Sequence, residues 1–564
     1  MNKTLKIVGI VLGGVAGLLV ILAVVLTLVF DPNQYKPEII KLVKDKTGRD
    51  FKIEQKIGWS FFPRLGIEAG GIELANAPGF GKDPFARLEA AGVHVAVMPL
   101  LRGKIEVSSV YLNGLQLNLA KNTAGKTNWD DLVPAEGKKP AAPEKKEATK
   151  LPVEGLTIGR LEVRRANLVW RDQQAGSTLT VKNLNLTTST FVANEPMDLS
   201  LAFELTRDKA APIKADLRSR LTASANALKL ANVDLKVDDS RLQGSIEIRD
   251  FSSPAVRFDL ALDKIDLDRY LASGSSTATP AKAAPADQPV EVPLSTLRSL
   301  NVNGKFQVGT LTAMGLKSTE AKVLVNAKNG LITLGPNSAK LYQGNYHGQT
   351  VVDARGKTLQ LKLDEKLEGV QVGPLLKDMK LFDHYSGAGN VSLALTAQGF
   401  DANAIKRSLN GNAAVSIKDG RIDGVDLGKA LKTVFGKGDT LTKLTQLVPS
   451  PGDHTVFGQM SGTFQVKNGV ANNNDLVLRA VDFTATGKGM ADLGNEKMDY
   501  RLFLANTGEE GKKCKTLPLR ISGSFAKLSY EPDMGLLLEC QAKKQVDKQL
   551  EKGLEGLLKP KKKK

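Results

Sequence analysis

The chain has 564 residues, 42% of them hydrophobic and only 5% aromatic, and a formal net charge of +18. Such a basic balance would suggest nucleic acid as a partner, but residues 541–564 hold nine Lys against three acids and so supply +6 of the charge. The remaining charge is spread thinly, which suits an anionic membrane surface or simple solubility better than a nucleic acid groove.

The first element in chain order is an apolar run over residues 7–30, which has no charged residue and a single hydroxyl group, that of Thr27. At about 1.5 Å per residue, such a helix crosses a hydrocarbon core of roughly 30 Å. A secretory signal peptide has an apolar core of about 7–15 residues and ends at a small-residue cleavage site, which the sequence after Phe30 lacks. The run therefore predicts an uncleaved, single-pass transmembrane anchor.

The residues that flank this run predict its orientation. Lys3 and Lys6 precede the run and Asp31 follows it, so we expect a cytoplasmic N-terminus with the bulk of the chain on the other side. Glycines at positions 9, 13 and 17 form two overlapping GxxxG units, which allow two helices to approach closely. Glycine is common in membrane helices anyway, so these residues alone do not establish a homodimer through the helix.

Residues 35–47 predict a short helix, since Pro37 lies near its first turn and Gly48 can end it. The apolar residues on one of its faces are Ile39, Leu42 and Val43. Next to a membrane anchor, this face is expected either to lie on the membrane or to cover the end of the structure that follows.

From residue 51 the apolar residues recur with a period of two, which is the pattern of strands with one apolar and one polar face. The clearest segments are Leu115–Ala120, Leu179–Thr188, Met197–Leu205, Val233–Val237, Ser245–Ile248, Val256–Asp263, Leu359–Asp364 and Val391–Ala397. Turns are predicted at Asn113-Gly114, Asn303-Gly304, Asn329-Gly330, Asp419-Gly420 and Asn468-Gly469. The fold class is therefore mainly β, a long antiparallel sheet with short helices at its ends.

Two segments that lack this alternation, 134–150 and 272–293, are rich in Pro, Ala and Lys and predict flexible linkers. The predicted organisation is an anchor at 7–30, an N-terminal region at 31–133, a linker at 134–150, a middle β region at 151–271, a linker at 272–293, a C-terminal β region at 294–540 and a basic amphipathic or disordered tail at 541–564. A weak repeat at 300–316, 409–427 and 460–476 predicts strand, turn, short strand, turn and a final Leu, as in sheets that grow by repetition.

The sequence gives little indication of catalysis. Ala120–Thr127 meets a permissive phosphate-loop pattern, but a working loop needs a helix beginning at its Lys-Thr pair, and Pro134 leaves no room for one. The four histidines, at positions 94, 347, 384 and 454, have no carboxylate or Cys at the spacing of metal ligands. We therefore expect no catalytic residue, no cofactor and no metal, and do not expect an enzyme.

Cys514 and Cys540 are the only cysteines. In an exported chain they permit one disulfide that closes a loop of about 25 residues and contributes roughly 2–4 kcal/mol. Two free buried thiols are the alternative. The predicted compartment favours the disulfide.

Several stretches resemble the AsmA family. They are Gly48–Gly81, Val95–Leu119 and Gly125–Leu132 toward the N-terminus, and Ala339–Gly356, Gly411–Leu431 and Leu517–Asp533 in the C-terminal half. The resemblance weakens across 135–300 and does not extend to the Lys-rich end. It implies an inner-membrane protein of Gram-negative bacteria with its body in the periplasm, a curled, repeating β-groove, and a role in outer-membrane biogenesis in which phospholipid moves between the two membranes.

The alternating strands and the family resemblance both bear on one physical problem, the exposure of acyl chains to water during transfer. Exposing acyl chains to water costs about 0.8 kcal/mol per CH₂, and a sheet curled into a groove with an aliphatic interior would shield them. The residues expected to line this groove are Leu115, Leu117, Leu119, Leu199, Leu201, Phe203, Leu205, Val256, Phe258, Leu260, Leu262, Val391, Leu393 and Leu395. The same alternation also builds the closed core of a β-sandwich.

The expected partners are phospholipids, the inner membrane, and the outer membrane or its assembly proteins. Nucleic acid is not expected. The alternative function is a non-transporting scaffold or chaperone that assists or regulates outer-membrane protein assembly.

Overall fold

The computed structural model describes residues 31–60, 65–96, 106–132, 157–208, 210–271, 294–379, 384–435, 452–507, 515–525 and 527–533, with a few single positions besides. The chain forms two compact units, Met1–Leu260 and Ala261–Lys564. Among these described residues, the structure contains no apolar helix of membrane-spanning length. The predicted anchor at 7–30, both predicted linkers, Cys514 and Cys540 lie outside the described residues.

The predicted N-terminal helix is confirmed as α1 (Lys36–Thr47), which follows a 3₁₀ turn at Pro32–Tyr35. Gly48 ends the helix in a left-handed conformation, with φ at 69°, which glycine adopts without steric cost. On one side of α1, Ile40 and Val43 are half-buried. Ile39 and Leu42 remain exposed, Leu42 by 59%, so α1 presents an apolar stripe to its surroundings.

The first unit is built from short strands near its N-terminus and longer ones after residue 157. They are β1 (Phe51–Ile53), β2 (Gly58–Ser60), β3 (Gly66–Leu74), β4 (Ala86–Val95), β5 (Val107–Asn113), β6 (Gln116–Lys121), β7 (Thr157–Ile158), β8 (Arg160–Asp172), β9 (Ser177–Thr188), β10 (Phe191–Val192), β11 (Pro196–Arg207), β12 (Ile213–Ala223), β13 (Ala227–Val237) and β14 (Ser240–Arg249). From β8 to β14, apart from the separate β7–β10 pair, each strand pairs with the next in antiparallel register. β15 (Ala255–Asp266) begins in the first unit and ends in the second.

The sheet departs from the predicted antiparallel arrangement at β8, which pairs in parallel with both β5 and β6. A parallel return needs a crossover of a dozen or more residues. The chain between β6 and β8 runs from residue 122 to residue 159 and includes the predicted linker 134–150, so it has the length that such a crossover requires.

Bulges interrupt several strands of the first unit near their middles. Arg165 in β8, Asn183 in β9 and Asn232 in β13 have positive φ angles of 53°, 53° and 52°, and the pairing register shifts at each of them. A bulge of this kind adds one residue to one strand, bends it and increases its local twist. The strands are therefore bent at defined positions.

The second unit is a series of long antiparallel strands with short helices between some of them. The strands are β16 (Asn301–Ala313), β17 (Leu316–Lys328), β18 (Leu331–Leu341), β19 (Gly344–Asp353), β20 (Gln360–Gln371), β21 (Tyr385–Gln398), β22 (Asn410–Asp423), β23 (His454–Lys467), β24 (Val470–Arg479), β25 (Phe483–Asp492), β26 (Lys497–Asn506), β27 (Thr516–Ser524) and β28 (Lys527–Pro532). The helices are α2 (Leu267–Leu271), α3 (Leu294–Ser299), α4 (Val372–Asp378), α5 (Ala402–Arg407) and α6 (Leu427–Phe435). Each strand pairs with the next.

Three of the five predicted turns are confirmed, and two are wrong. Asn113-Gly114, Asn329-Gly330 and Asn468-Gly469 each join two consecutive strands. Asn303-Gly304 instead lies inside β16, where Asn303 is paired with Asn326 of β17. Asp419-Gly420 lies inside β22, where Asp419 has a φ of 48° at a register shift between β21 and β22. An Asn-Gly or Asp-Gly pair can thus be extended or form a bulge when a neighbouring strand pairs with it.

These two errors also change the predicted repeat. Segments 300–316 and 409–427 each contain one long strand, β16 and β22, whereas 460–476 is the predicted hairpin of two strands, β23 and β24. The shared pattern of the three segments therefore does not produce one shared unit of structure.

A buried core is concentrated at one part of the second unit, under α6. Leu427 and Leu431 of this helix are buried in the same cluster as Leu478, Leu504 and Leu517 of the strands. The two helix residues are four positions apart and so share one face. The amphipathic helix α6 therefore covers this part of the sheet.

Leu504→Ala is expected to destabilise the second unit by about 2–5 kcal/mol, because Leu504 is 0% exposed and its removal leaves a cavity. Urea unfolding followed by circular dichroism measures the loss, and hydrogen exchange in peptides from β26 and β27 locates it. Val481→Ala is the control, since Val481 is 94% exposed and the change should stay within about 0.5 kcal/mol. Equal effects of the two substitutions would show that this cluster is not the core.

Candidate functional site

The pairing register of the first unit brings several predicted lining residues onto one face of the sheet. Leu117 is opposite Leu168, Leu168 is opposite Val181, and Val181 is opposite Leu205. Residues directly opposite each other in neighbouring strands point to the same side. Leu117 and Leu205, from segments far apart in sequence, therefore belong to the same apolar row.

A second row crosses β11 to β14 on this face. Leu201 is opposite Leu217, Leu217 is opposite Leu235, and Leu235 is opposite Leu242. Leu201 and Leu205 lie four positions apart in β11, so their side chains share a face. The rows therefore form one apolar surface, which we call the inner face of the first unit.

The other predicted residues in or just before β6 and in β11 fit this surface, and those of β15 show the same alternation of burial. Leu119 is opposite Trp170, and Leu115 lies just before β6, where its carbonyl accepts a hydrogen bond of 2.7 Å from the Asn167 amide. Leu199 and Phe203 alternate with Leu201 in β11. In β15, half-buried Phe258 stands between exposed Arg257 and Asp259. The alternation that the sequence predicts is thus present in these strands.

An apolar face of the same kind lies on part of the second unit that includes β20 to β22. Val391 and Leu395 of β21 are opposite Leu367 and Leu363 of β20. On its other side, Val391 is opposite Val415 of β22. We call this surface the inner face of the second unit.

The predicted lining residues are neither buried in a core nor fully exposed. All of them are half-buried: Leu115, Leu117, Leu119, Leu199, Leu201, Phe203, Leu205, Val256, Phe258, Leu260, Leu262, Val391, Leu393 and Leu395. The inward-facing residues of a closed sandwich would be buried by the second sheet. Their partial exposure therefore favours a sheet whose apolar face is largely open, while their contact with lipid remains a prediction.

One residue of the inner face of the second unit was missed by sequence reasoning. Glu365 lies opposite Leu393, between Leu363 and Leu367 in β20, and is half-buried. The signal was present, because in the alternating segment LQLKLDEKLEG a carboxylate takes a position at which the period of two calls for an apolar residue.

Glu365 is held by hydroxyl groups from β19. The Tyr346 hydroxyl donates a hydrogen bond of 2.6 Å to Oε2, and the Thr350 hydroxyl donates one of 2.8 Å to Oε1. Gly348 is opposite Glu365, and a Cβ at this glycine would clash with Oε2. Burial, reinforced by the hydrogen bond to Glu365, raises the pKa of Tyr346 to about 12, so its hydroxyl keeps its proton and donates.

A polar network explains the motif GKTNWDDL at Gly125–Leu132. Arg49, only 4% exposed, donates to both carboxylate oxygens of Asp131 and to the Asn128 carbonyl at 2.7 Å, and its guanidinium lies 4.8 Å from the centre of the Phe85 ring. The hydrogen bond from Arg49 lowers the pKa of Asp131. These hydrogen bonds therefore connect the motif to Arg49, which follows Gly48 at the end of α1.

The segment resembling a phosphate loop, Ala120–Thr127, is a tight turn between Lys121 and Thr127, which form a β-bridge. The Asn122 side chain accepts hydrogen bonds of 3.0 Å from the amides of Ala124 and Lys126. These amides are thereby used within the turn, and no helix begins at the Lys-Thr pair. The segment lacks the geometry of a phosphate site.

A Ser-His-Glu arrangement lies on β3 to β5. Ser109 Oγ and His94 Nδ1 are 2.9 Å apart, and His94 Nε2 is 3.7 Å from a Glu68 oxygen. A nucleophile must reach its substrate, but Ser109 is 2% exposed and the His94 ring is stacked on Tyr111. This geometry serves packing between strands.

Arg49→Met is expected to lower the free energy of unfolding of the first unit by about 2–4 kcal/mol, because the buried carbonyl partners lose their donor. Arg87→Met is the control, since Arg87 is largely exposed and paired with Glu73, and should cost no more than about 1 kcal/mol. Urea midpoints of the two variants measure the difference. Similar midpoints would show that the Arg49 network does not stabilise the unit.

The same network predicts a pH dependence. The pKa of Asp131 is lowered in the folded state, so its ionised form stabilises the fold above the pKa of an unfolded aspartate, about 3.9. The advantage of the native chain over Asp131→Asn should be constant from about pH 5 to pH 7 and should shrink as the pH falls below about 4. Urea midpoints at pH 6 and pH 3 test this, and an advantage that grows in acid would contradict it.

Comparison with known proteins places the chain in a family. The model of the AsmA family matches residues 1–204 and 200–476. Protein AsmA of Escherichia coli (strain K12) is 21% identical over 587 aligned positions, which cover 93% of this chain and 93% of that protein.

Proposed function

Because the chain belongs to the AsmA family, we propose that it is an inner-membrane-anchored periplasmic protein of outer-membrane biogenesis that carries phospholipid between the inner and outer membranes. The AsmA family is associated with outer-membrane biogenesis or a lipid-related role. The observation that carries the finer proposal is the half-exposed aliphatic inner face of each unit. In this proposal each face is curled at its bulges into a groove for acyl chains.

The energetics of lipid transfer require such a surface. A phospholipid that leaves a bilayer exposes two acyl chains at about 0.8 kcal/mol per CH₂, so chains of about 14–18 carbons face a cost above roughly 20 kcal/mol. An aliphatic face that is already partly exposed removes most of this cost, because each CH₂ exchanges water for Leu or Val side chains. This gain comes from the acyl chains alone.

The helix α1 supplies an entrance at the inner membrane. Its exposed Ile39 and Leu42, together with Tyr35 of the preceding turn, form a stripe that follows shortly after the apolar run 7–30. Lys41 and Lys44 flank the stripe, as in helices that lie on anionic membrane surfaces. In this proposal α1 rests on the outer leaflet of the inner membrane, where lipid leaves it.

Photo-crosslinking tests the proposed path. A benzophenone amino acid placed at Leu201, Phe258 or Leu393 should capture phospholipid in cells, because Leu201 and Leu393 lie on the inner faces and Phe258 lies on the half-buried side of its strand. The matched controls are neighbouring exposed positions in the same strands, Ser200, Arg257 and Ala394, which point the opposite way. Mass spectrometry of the crosslinked protein identifies the lipid.

The pattern of capture decides between functions. Capture at all three inner positions and not at the controls supports lipid carriage by both units. Capture at none of the inner positions would reject lipid carriage. It would favour the alternative function, a non-transporting scaffold in outer-membrane biogenesis.

Charge placed on the inner face should block transfer without unfolding the chain. Leu201→Asp puts a carboxylate among acyl chains, at a cost of several kcal/mol, and should abolish complementation of an outer-membrane barrier defect in a strain that lacks the protein. Ser200→Asp, on the exposed side of β11, should complement fully. Equal urea midpoints establish that both variants are folded, and complementation by the folded Leu201→Asp variant would contradict the proposal.

A further inference from the structure

We infer that Asn337, Tyr346, Thr350 and Glu365 form a recognition site for a primary ammonium group on the inner face of the second unit, the chemistry of an ethanolamine headgroup. This inference rests on the proposed function, because it concerns which lipid the apolar face takes. The four residues come from β18, β19 and β20.

Strand pairing brings these residues together over one glycine. Asn337 is opposite Gly348, and Gly348 is opposite Glu365, so the two polar side chains project from the same face on either side of a residue without a side chain. A Cβ at Gly348 would overlap Glu365 Oε2 and would stand 2.5 Å from the Tyr346 hydroxyl oxygen. The space above Gly348 is therefore filled by polar atoms of its neighbours.

The hydrogen-bonding capacity that remains at this site is that of an acceptor. Each Glu365 oxygen accepts a single hydroxyl hydrogen bond, although a carboxylate oxygen can accept two. Asn337 Oδ1 is the one buried side-chain nitrogen or oxygen without a hydrogen-bond partner among the described residues. The amide oxygen and the carboxylate can therefore accept further hydrogen bonds. They suit a ligand that donates several hydrogen bonds.

The negative charge of the Glu365 carboxylate favours a positively charged ligand among such donors. Among the described residues, no Lys or Arg forms an ion pair with Glu365, and its charged neighbours in β20, Asp364 and Lys366, are exposed on the opposite face. A carboxylate that is covered by acyl chains without a counter-charge is costly. A bound ammonium group would supply the counter-charge and three donors.

Other ligand classes fit less well. A phosphate group would be repelled by the Glu365 carboxylate. A calcium ion takes six to eight oxygen ligands, whereas one carboxylate, one amide oxygen and two hydroxyl groups are available here. A neutral glycerol headgroup could donate hydrogen bonds but would leave the charge uncompensated.

The test uses the full chain with a benzophenone amino acid at Leu395, which lies on the same inner face as Leu393. Vesicles with equal amounts of phosphatidylethanolamine and phosphatidylglycerol supply both lipids, and mass spectrometry gives the ratio captured. We expect the ethanolamine lipid to be favoured about fivefold. In Glu365→Gln, which keeps the shape of the side chain and removes the charge, the ratio should fall to about one.

Asp364→Asn is the matched control, because it removes a neighbouring carboxylate on the opposite face and should keep the preference. A ratio near one in the native chain, or an unchanged preference in Glu365→Gln, would overturn the ammonium site while total capture at Leu395 still supports lipid carriage. Loss of all capture at Leu395 and Leu201 would instead reject the proposed function.

A competition experiment shows whether the bound ammonium group comes from a membrane lipid or from a soluble amine. Excess soluble glycerophosphoethanolamine that lowers capture of the ethanolamine lipid shows that the headgroup chemistry alone is recognised, so a free amine can also occupy the site. A preference that withstands the competitor shows that the site takes the amine from a membrane lipid. Either result supports recognition of the ammonium group.

Discussion

The first unit depends on keeping one face of its long strands apolar through a series of pairings. Successive side chains in a strand alternate between faces, so a register slip of one residue would move a whole apolar row to the wrong side. In β13, Leu228 and Leu230 give way to Val233 and Leu235, with Asn232 in a left-handed conformation at the break. The bulge takes up the extra residue, and the row continues on the same face.

The same arrangement recurs in β8 and β9. Val163 and Ala166 are three positions apart, yet both are paired with inner-face residues of β9, because Arg165 forms a bulge between them. Each of these breaks is visible in the sequence as a shift of one position in the apolar alternation. A bulge therefore lets the sheet bend without losing its apolar face, and an Asn or Arg at the shift marks where it bends.

Much of the fold could be predicted from the sequence because it depends on local patterns. The strand β11 is typical, since the alternation over Met197–Leu205 predicts a strand there and the segment forms most of β11. The predictions that were wrong concern segments whose structure depends on pairing with distant residues. Asn303-Gly304 would form a turn in isolation but is held extended by β17, and the direction of β8 follows from the long crossover before it rather than from its own residues.

The candidate site was predictable to a similar extent. Positions such as Leu201 and Leu393 could be assigned to a face of their strands from the alternation, and the register shows which residues lie opposite them, whereas their contact with lipid stays a prediction. Glu365 could not be placed without β19, because only the pairing shows that Tyr346 and Thr350 converge on it. Function at a polar position on a sheet is thus set by its neighbours across strands, which a single sequence does not reveal.

The two helices α1 and α6 differ in how their apolar residues are covered. The helix α6 buries Leu427 and Leu431 against the strands, so it closes its part of the second unit's face. The helix α1 instead leaves Ile39 and Leu42 exposed and has no buried residue of its own. In the proposed function this exposed stripe of α1 rests on the membrane surface. In the proposed function, the Leu and Val side chains that make up most of the inner faces suit acyl chains, because they impose no ring-stacking geometry on a ligand.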